Sequence, residues 1–427
     1  MKRKIYNDLL KWKNQGMKKP LIVVGARQVG KTYIIKEFCE KEFESYIYFN
    51  LFDNVDFIEL FKTNSSIEDK ISILKILIRN KYNIDINFNN TLIFVDEVQE
   101  SEEFISSLKY FAESKNKYNI IVAGSLLGVK LKRMKKAFPV GKVDMLTLNP
   151  MDFEEVILET LGEDTINNIK KCYNDNTPIN SQLHNMLLDL YKKYICIGGM
   201  PEIVQNFVDN NKDMSKFEPK DLENIKIGYL NDMRKYVKDP TETVRIENIY
   251  NSIAIQIGNK SNKFQYSKIN KTARSINYES AMQWLVSSKM IEKIDFVSAP
   301  TKPLELHKDD TYFKLYINDI GLLRLISKID ILDILNDVPF TEKGILSENY
   351  VLQQLISNNL DVYYWKDENY IEIDFLISNN DGVIPIEVKS NDRVRSSSLN
   401  KYIKMYSPKY SIRVSSKNFG FENNIKS

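Results

Sequence analysis

The sequence predicts an α/β chain that opens on a parallel sheet and closes on a smaller mixed α/β unit. Three observations carry this. Short continuous apolar runs alternate with helical patterns through residues 1 to 150, as in strands buried on both faces. A glycine loop lies directly between the first of those runs and a helix. Near the end, a helix leads into strand, tight turn and strand.

Taken in order, "IYNDLLKWK" reads as an amphipathic helix with Ile5, Leu9, Leu10 and Trp12 on one side. "PLIVVGARQVGKTYIIKEF" reads as strand, loop and helix, and "SYIYFNLF", "TLIFVDEVQ" and "NIIVAGS" supply three more strands. From about Pro150 the strand signals fade. Residues 151–235 read as mainly helical around the loop "IGGMPE", with residues 208–222 as the best exposed connection. Residues 236–335 give short helical patterns and the strand "MIEKIDFV". Residues 336–427 hold the helix "TEKGILSENYVLQQLISNN" and the strands "DVYYWK", "YIEIDFLIS" and "VIPIEVKS". A length of 427 residues suits two to four such domains.

Bulk composition excludes several classes. With 60 Lys and Arg against 57 Asp and Glu, the net charge of +3 argues for no polyanionic partner, so only local charge can. Cys39, Cys172 and Cys196 have neither disulfide nor zinc spacing and suit a reducing compartment. His184 and His307 are too few for a histidine metal site. The basic N-terminus lacks the apolar core of a secretory signal, and no run approaches the roughly 18 residues of a membrane span. The expectation is a cytoplasmic protein without membrane contact.

The glycine loop is G-x-x-x-x-G-K-T: Gly25, Ala26, Arg27, Gln28, Val29, Gly30, Lys31 and Thr32, with Tyr33 following. Its context, strand before and helix after, is the one this phosphate-binding motif requires. Glycines let the amides curl toward phosphate oxygens, and the helix N-terminus adds its positive dipole end. Lys31 would reach the β- and γ-phosphates of ATP, and the Thr32 hydroxyl would ligate Mg²⁺. In "LIFVDE" a buried strand delivers Asp96, expected to orient Mg²⁺, and Glu97, expected to polarise the attacking water. Ser125, at the end of "IIVAGS", is a candidate to sense the γ-phosphate.

These stretches resemble the AAA+ class of P-loop ATPases. More narrowly, the chain resembles bacterial and archaeal ATPases that join an AAA+ domain to the C-terminal domain DUF4143. The resemblance rests on "GARQVGKT", "LIFVDEVQ", "IIVAGSLLG", "FPVGKVDMLTLNPMDFEEV", "GGMPE", "FQYSKINKTARS" and "FKLYINDIGLL". It implies ATP and Mg²⁺ as cofactors, a homo-oligomer as a working state, and an arginine finger, for which Arg133, Arg234 and Arg245 all stand open.

Residues 264–297 read as helix, turn, helix and strand, which resembles a winged helix-turn-helix. Its recognition helix would span Ser275 to Ser287, with Lys268, Lys271 and Arg274 near its entry. Either DNA contact or a packing role fits. In the tail, Asp381-Gly382 signals a hairpin that folds Asp374 beside Glu387 and Lys389, with Glu348 leaning over from the preceding helix. That set looks like a PD-(D/E)xK nuclease fold, "EID" replacing the usual proline–aspartate. Glu348, Asp374 and Glu387 would hold a second divalent metal, Mg²⁺ or Mn²⁺, and Lys389 would activate water or stabilise charge on phosphate. A nuclease-like fold without cleavage is the other reading. Lys389, Arg393, Arg395, Lys401, Lys404, Lys409, Arg413 and Lys417 outnumber the lone Asp392 and favour DNA as a partner. The expected function is an ATPase that couples nucleotide state to DNA binding or processing; the alternative is a nucleotide-driven switch with an inactive nuclease-like domain.

Overall fold

A computed structural model describes the chain apart from residues 16–18, 83–85, 88–89, 135–137, 238, 259–262, 340–342, 369–370, 391–396 and 423, and the side chains of residues 81, 82, 133 and 258. It divides into two compact units. One holds residues 2–149 with 287–289, the other Met1, residues 150–286 and 290–427.

The first unit is built on a five-stranded sheet of β1 (Leu21–Val24), β2 (Ser45–Asn50), β3 (Thr91–Asp96), β4 (Asn119–Ala123) and β5 (Asp144–Thr147), ordered β2-β3-β4-β1-β5. Every pairing is parallel. The three inner strands are buried along their whole length, while edge strand β2 buries only Ile47 and Phe49. This is why the inner strands read as unbroken apolar runs and the edge as an alternation. Each buried Val or Ile contributes roughly 1.5–3 kcal/mol relative to exposure. Phe57, Phe61, Phe104 and Phe111 close one side, Phe104 meeting each of the other three edge-to-face. The topology brings the C-terminal ends of β1, β4 and β3 side by side, where a parallel sheet binds its ligands.

The second unit carries a mixed eight-stranded sheet, ordered β12-β13-β11-β10-β9-β8-β6-β7. Its strands are β6 (Ile291–Val297), β7 (Lys308–Ile317), β8 (Tyr363–Lys366), β9 (Glu372–Asn379), β10 (Gly382–Val388), β11 (Ser411–Val414), β12 (Phe421–Glu422) and β13 (Ile425–Lys426). The strand expected to begin a wing is therefore an inner strand. β6 pairs antiparallel with β7 on one side and parallel with β8 on the other, Asp295 opposite Tyr363. That parallel partner lies far along the sequence, so local periodicity carries no sign of it. The expected first helix of the helix-turn-helix shrinks to one turn, Tyr266–Lys268. Asn270 ends it, its Oδ1 accepting the Thr272 amide in an Asx turn. The second helix, Ser275–Ser287, forms and buries Tyr278, Ala281, Met282, Trp284 and Leu285.

Asp319 organises the helical part of this unit. It is fully buried, accepts the Leu322 amide at 3.0 Å as N-cap of the helix Ile320–Ile326, and accepts the Gly199 amide at 2.7 Å. A Cβ on Gly198 would meet its Oδ1 at 2.3 Å, and one on Gly199 would meet the Met151 carbonyl oxygen at 2.0 Å. The motifs "GGMPE" and "YINDIGLL" are thus the two halves of one contact. Burial pushes the Asp319 carboxyl up to about 6, against the three amides that favour its charged form.

Candidate nucleotide site and acid pocket

The phosphate loop leaves β1 at Gly25, where φ is 155° and an added Cβ would lie 2.2 Å from the Leu148 carbonyl oxygen. Gln28 and Gly30 also take positive φ, 65° and 88°, so the backbone curls before the helix Lys31–Glu42 begins. Lys31 is buried inside the curl, its ammonium donating to the carbonyls of Gly25 at 2.9 Å and Ala26 at 2.7 Å. Val29 is buried, while Arg27, Gln28 and Tyr33 face outward. Thr32 Oγ1 donates to Asp96 Oδ2 at 2.6 Å. A hydroxyl and a carboxylate held that close, on adjoining ends of a strand and a helix, form a hard-oxygen pair of the kind a divalent cation takes. Asp96 is 5% exposed, and Tyr48 donates to the same oxygen at 3.4 Å. Burial, then the Asp96 charge, pushes the Tyr48 hydroxyl up to about 12.

Glu97 follows in the left-handed region, at φ 52°, and is half-buried. Its carboxylate accepts from Gln99 Nε2 at 2.5 Å. Gln99 is buried, and its Oε1 lies where a Cβ on Gly124 would meet it at 2.2 Å. Gln99 thus spans from the acid after β3 to the residue before Ser125, which is half-buried beyond the end of β4. Two contributors escaped sequence reasoning. Gln99 looked like any polar residue after an acidic pair. Arg3, in the N-terminal segment, is buried and donates to the Val29 carbonyl at 3.0 Å and the Asn149 carbonyl at 2.7 Å, which ties the loop down.

No arginine finger is assigned. Arg234 pairs with Glu247 at 3.1 Å and Arg245 with Glu242 at 3.9 Å, and the side chain of Arg133 lies outside the described residues.

In the second unit, the hairpin of β9 and β10 forms at Asp381-Gly382, with Gly382 opposite Asn379. It brings Asp374, Glu387 and Lys389 to one cavity of about 550 Å³, and the helix Lys343–Ser357 adds Glu348. The same cavity holds two residues missed from sequence, Glu372 and Lys314. Lys314 Nζ lies 2.7 Å from Glu372 Oε1 and 3.4 Å from Glu348 Oε1. Tyr316 donates to that Glu348 oxygen at 2.5 Å, the Val388 amide donates to Asp374 Oδ2 at 2.7 Å, and Lys389 donates to Glu387. Burial, then Glu348 and Glu387, holds the Asp374 carboxyl well above its usual range. Burial also raises Glu387, against the pull of Lys389. For Lys314, burial would lower the ammonium, but Glu348, Tyr316 and Glu372 outweigh it and hold it well above its ordinary value.

The expectation of a metal held by Glu348, Asp374 and Glu387 meets a different arrangement. Among the described residues no group of three or more His, Cys, Asp or Glu side chains is disposed to hold a metal ion. The acids share a cavity, but each has an oxygen already taken by a protein donor. The second oxygen of Glu387, Oε2, is buried without a hydrogen-bond partner. Arg393, Arg395 and Asp392 lie outside the described residues. Of the other tail cations, Lys401, Lys404 and Lys417 are exposed, Lys409 pairs with Asp381 at 2.6 Å, and Arg413 donates to Ser427 at 2.8 Å.

A parallel sheet with a curled G-x-x-x-x-G-K-T loop after β1 and an acid pair at the end of β3, one strand removed, defines an AAA-type P-loop fold. Comparison with known families agrees: residues 17–157 match the model described as AAA domain, residues 188–332 match a domain of unknown function, DUF8612, and residues 343–426 match another, DUF4143. The chain carries an AAA domain and a C-terminal DUF4143 domain. Among solved structures it is similar to the Walker-type ATPase of Pyrococcus abyssi, at 16% identity over 77% of this chain and 96% of that one, with a TM-score of 0.45. It is similar to the ORC2 protein of Aeropyrum pernix, solved as ADPNP–ADP complexes, at 12% identity over 78% and 92%, with a TM-score of 0.35. A third is a signal transduction ATPase with numerous domains from Pyrococcus horikoshii, at 14% identity over 84% and 45%, with a TM-score of 0.28. No curated protein matches the sequence. Among the described residues no helix is long and apolar enough to cross a membrane.

Proposed function

We propose that the chain binds Mg²⁺–ATP in the loop Gly25–Thr32, hydrolyses it, and uses nucleotide state to govern DNA engagement by its second unit. The observation that carries the ATP reading is the Thr32–Asp96 contact of 2.6 Å beside the curled loop that holds Lys31. Thr32 and Asp96 would hold Mg²⁺, which would supply positive charge against the negative charge that develops on the phosphate. Lys31 exchanges its two carbonyl partners for β- and γ-phosphate oxygens. The loop amides and the helix N-terminus hold the remaining phosphate oxygens. Glu97 takes a proton from the attacking water, and Gln99 keeps that carboxylate aimed. Ser125 aligns the water or the γ-phosphate from the strand between the loop and the acids.

Exposed Lys268, Lys271 and Arg274 at the entry to the helix Ser275–Ser287, and exposed Lys401, Lys404 and Lys417 in the tail, support DNA as the partner. The second reading, in which this unit engages DNA without cutting it, is favoured by one observation: Lys314, Tyr316, Lys389 and the Val388 amide hold one oxygen of each of the four pocket acids. The test is phosphate release by wild type, Lys31→Ala and Asp96→Asn with Mg²⁺, together with anisotropy of labelled DNA with and without ATP. Turnover should vanish in both variants. DNA affinity should differ between nucleotide states in wild type and lose that difference in Lys31→Ala. Turnover that survives in both variants overturns the ATP site, and DNA affinity indifferent to nucleotide overturns the coupling.

A further inference from the structure

The acid pocket has a feature that the nuclease-like resemblance leaves unexplained: a lysine at its centre, supplied from outside the DUF4143 match. Lys314 sits on β7, in the stretch matched by DUF8612, and reaches across the sheet into a cavity whose acids come from residues 348, 372, 374 and 387. The shared sheet makes this geometry. β6 links β7 to β8, and β8 links them to β9, so an edge-strand lysine and the hairpin acids face one cavity. The side chain is only 12% exposed. Its ammonium also lies 5.1 Å from the centre of the Tyr364 ring, a second attraction for positive charge.

We propose that Lys314 is the resident cation of this pocket, its ammonium standing where a divalent metal would have to sit, so that the domain works as a metal-free binding module. Three points support this. Lys314 contacts two of the acids, and Tyr316, two residues along the same face of β7, fills the Glu348 oxygen it shares. A hard divalent ion binds carboxylate oxygens at about 2.0–2.6 Å and repels a neighbouring ammonium, so the two cannot share these oxygens. Finally, one oxygen of each acid left over is taken, Asp374 Oδ2 by the Val388 amide and Glu387 Oε1 by Lys389, while Glu387 Oε2 stays buried without a hydrogen-bond partner, beside an ammonium rather than open to an ion. A lysine is tethered to the chain and keeps its place when free metal is scarce. A pocket closed this way carries a fixed charge pattern for recognition and no Lewis acid for hydrolysis.

The inference deepens the second reading above and is independent of the nucleotide loop, so the two fail separately. The experiment is a calorimetric Mn²⁺ titration of the full chain without nucleotide, in wild type, Asp374→Asn, Lys314→Met, Lys314→Gln and the double variant Lys314→Met/Asp374→Asn. Circular dichroism confirms that each is folded. Wild type should take up no Mn²⁺ at this pocket. Removal of the ammonium should open one site per chain, about 10- to 100-fold tighter than any residual wild-type uptake, and Asp374→Asn should close it again. Wild-type Mn²⁺ uptake that Asp374→Asn alone abolishes overturns the proposal, and so does a folded Lys314 variant that binds no better than wild type. Should neither Lys314 variant fold, the wild-type titration with Asp374→Asn as its control still decides it.

Discussion

The two acidic sites of this chain make opposite use of the same side chains. In the first unit, Asp96 and Thr32 are held 2.6 Å apart beside a lysine that donates to two backbone carbonyls of its own loop. A ligand that brings negative oxygens and a metal improves every one of those contacts. In the second unit, Lys314 and Lys389 are bonded to carboxylates, and an incoming cation has to displace them. The lesson is that clustered acids and lysines do not of themselves make a metal site. What matters is whether an incoming cation finds the acids bonded to a lysine, as Glu372 and Glu387 are, or to a neutral hydroxyl, as Asp96 is to Thr32.

The contrast breaks most visibly at Lys31. Lys31→Ala should lower ATP turnover on the order of 10³-fold, since it removes the cation aimed at the transferring phosphate. A rate assay at saturating Mg²⁺ checks it, and near-normal turnover would remove the nucleotide site from the comparison. Glu97→Gln should lower kcat about 10²-fold while ATP affinity stays near wild type, the pattern of a lost general base. A parallel loss of affinity would instead make Glu97 a binding residue.

Next in size is a pH effect within the second unit. Asp319 holds its proton up to about 6, against 3.8 for the ordinary carboxyl. The folded chain therefore keeps a proton that the unfolded chain releases between those values. The stability this confers is complete below about pH 4 and is lost as pH rises through about 6, a change of about 3 kcal/mol. Urea unfolding across that window should show the slope, and Asp319→Asn should flatten it; an unchanged slope would mean that other groups carry it. The smallest effect belongs to Gln99. Gln99→Ala should lower kcat about tenfold with KM little changed, because it frees the Glu97 carboxylate rather than removing it. A kcat equal to wild type would show that Glu97 keeps its aim without help.

How much of this was legible follows from distance along the chain. Residues 25–32 are contiguous, so the whole loop could be read at once, and Asp96 announced itself at the end of an unbroken apolar run. Asp374, Glu387 and Lys389 were reachable because one tight turn sets their register. Lys314 was hidden, since only the β6–β8 pairing, between residues far apart in sequence, carries β7 to the pocket. Arg3 was hidden for the same reason, its partners Val29 and Asn149 being 26 and 146 residues away. The strand expected to begin a wing gains its second neighbour, β8, by the same pairing. Short-range signals state which strands exist; they do not state who lies next to whom.

One count compares both sites at once: Mn²⁺ bound per chain, read by electron paramagnetic resonance, first without nucleotide and then with a non-hydrolysable ATP analogue. The expected result is no ion in the first case and one in the second, with Asp96→Asn abolishing it and Asp374→Asn leaving it unchanged. An ion bound before nucleotide is added and lost in Asp374→Asn, or no ion after nucleotide is added, would contradict the account.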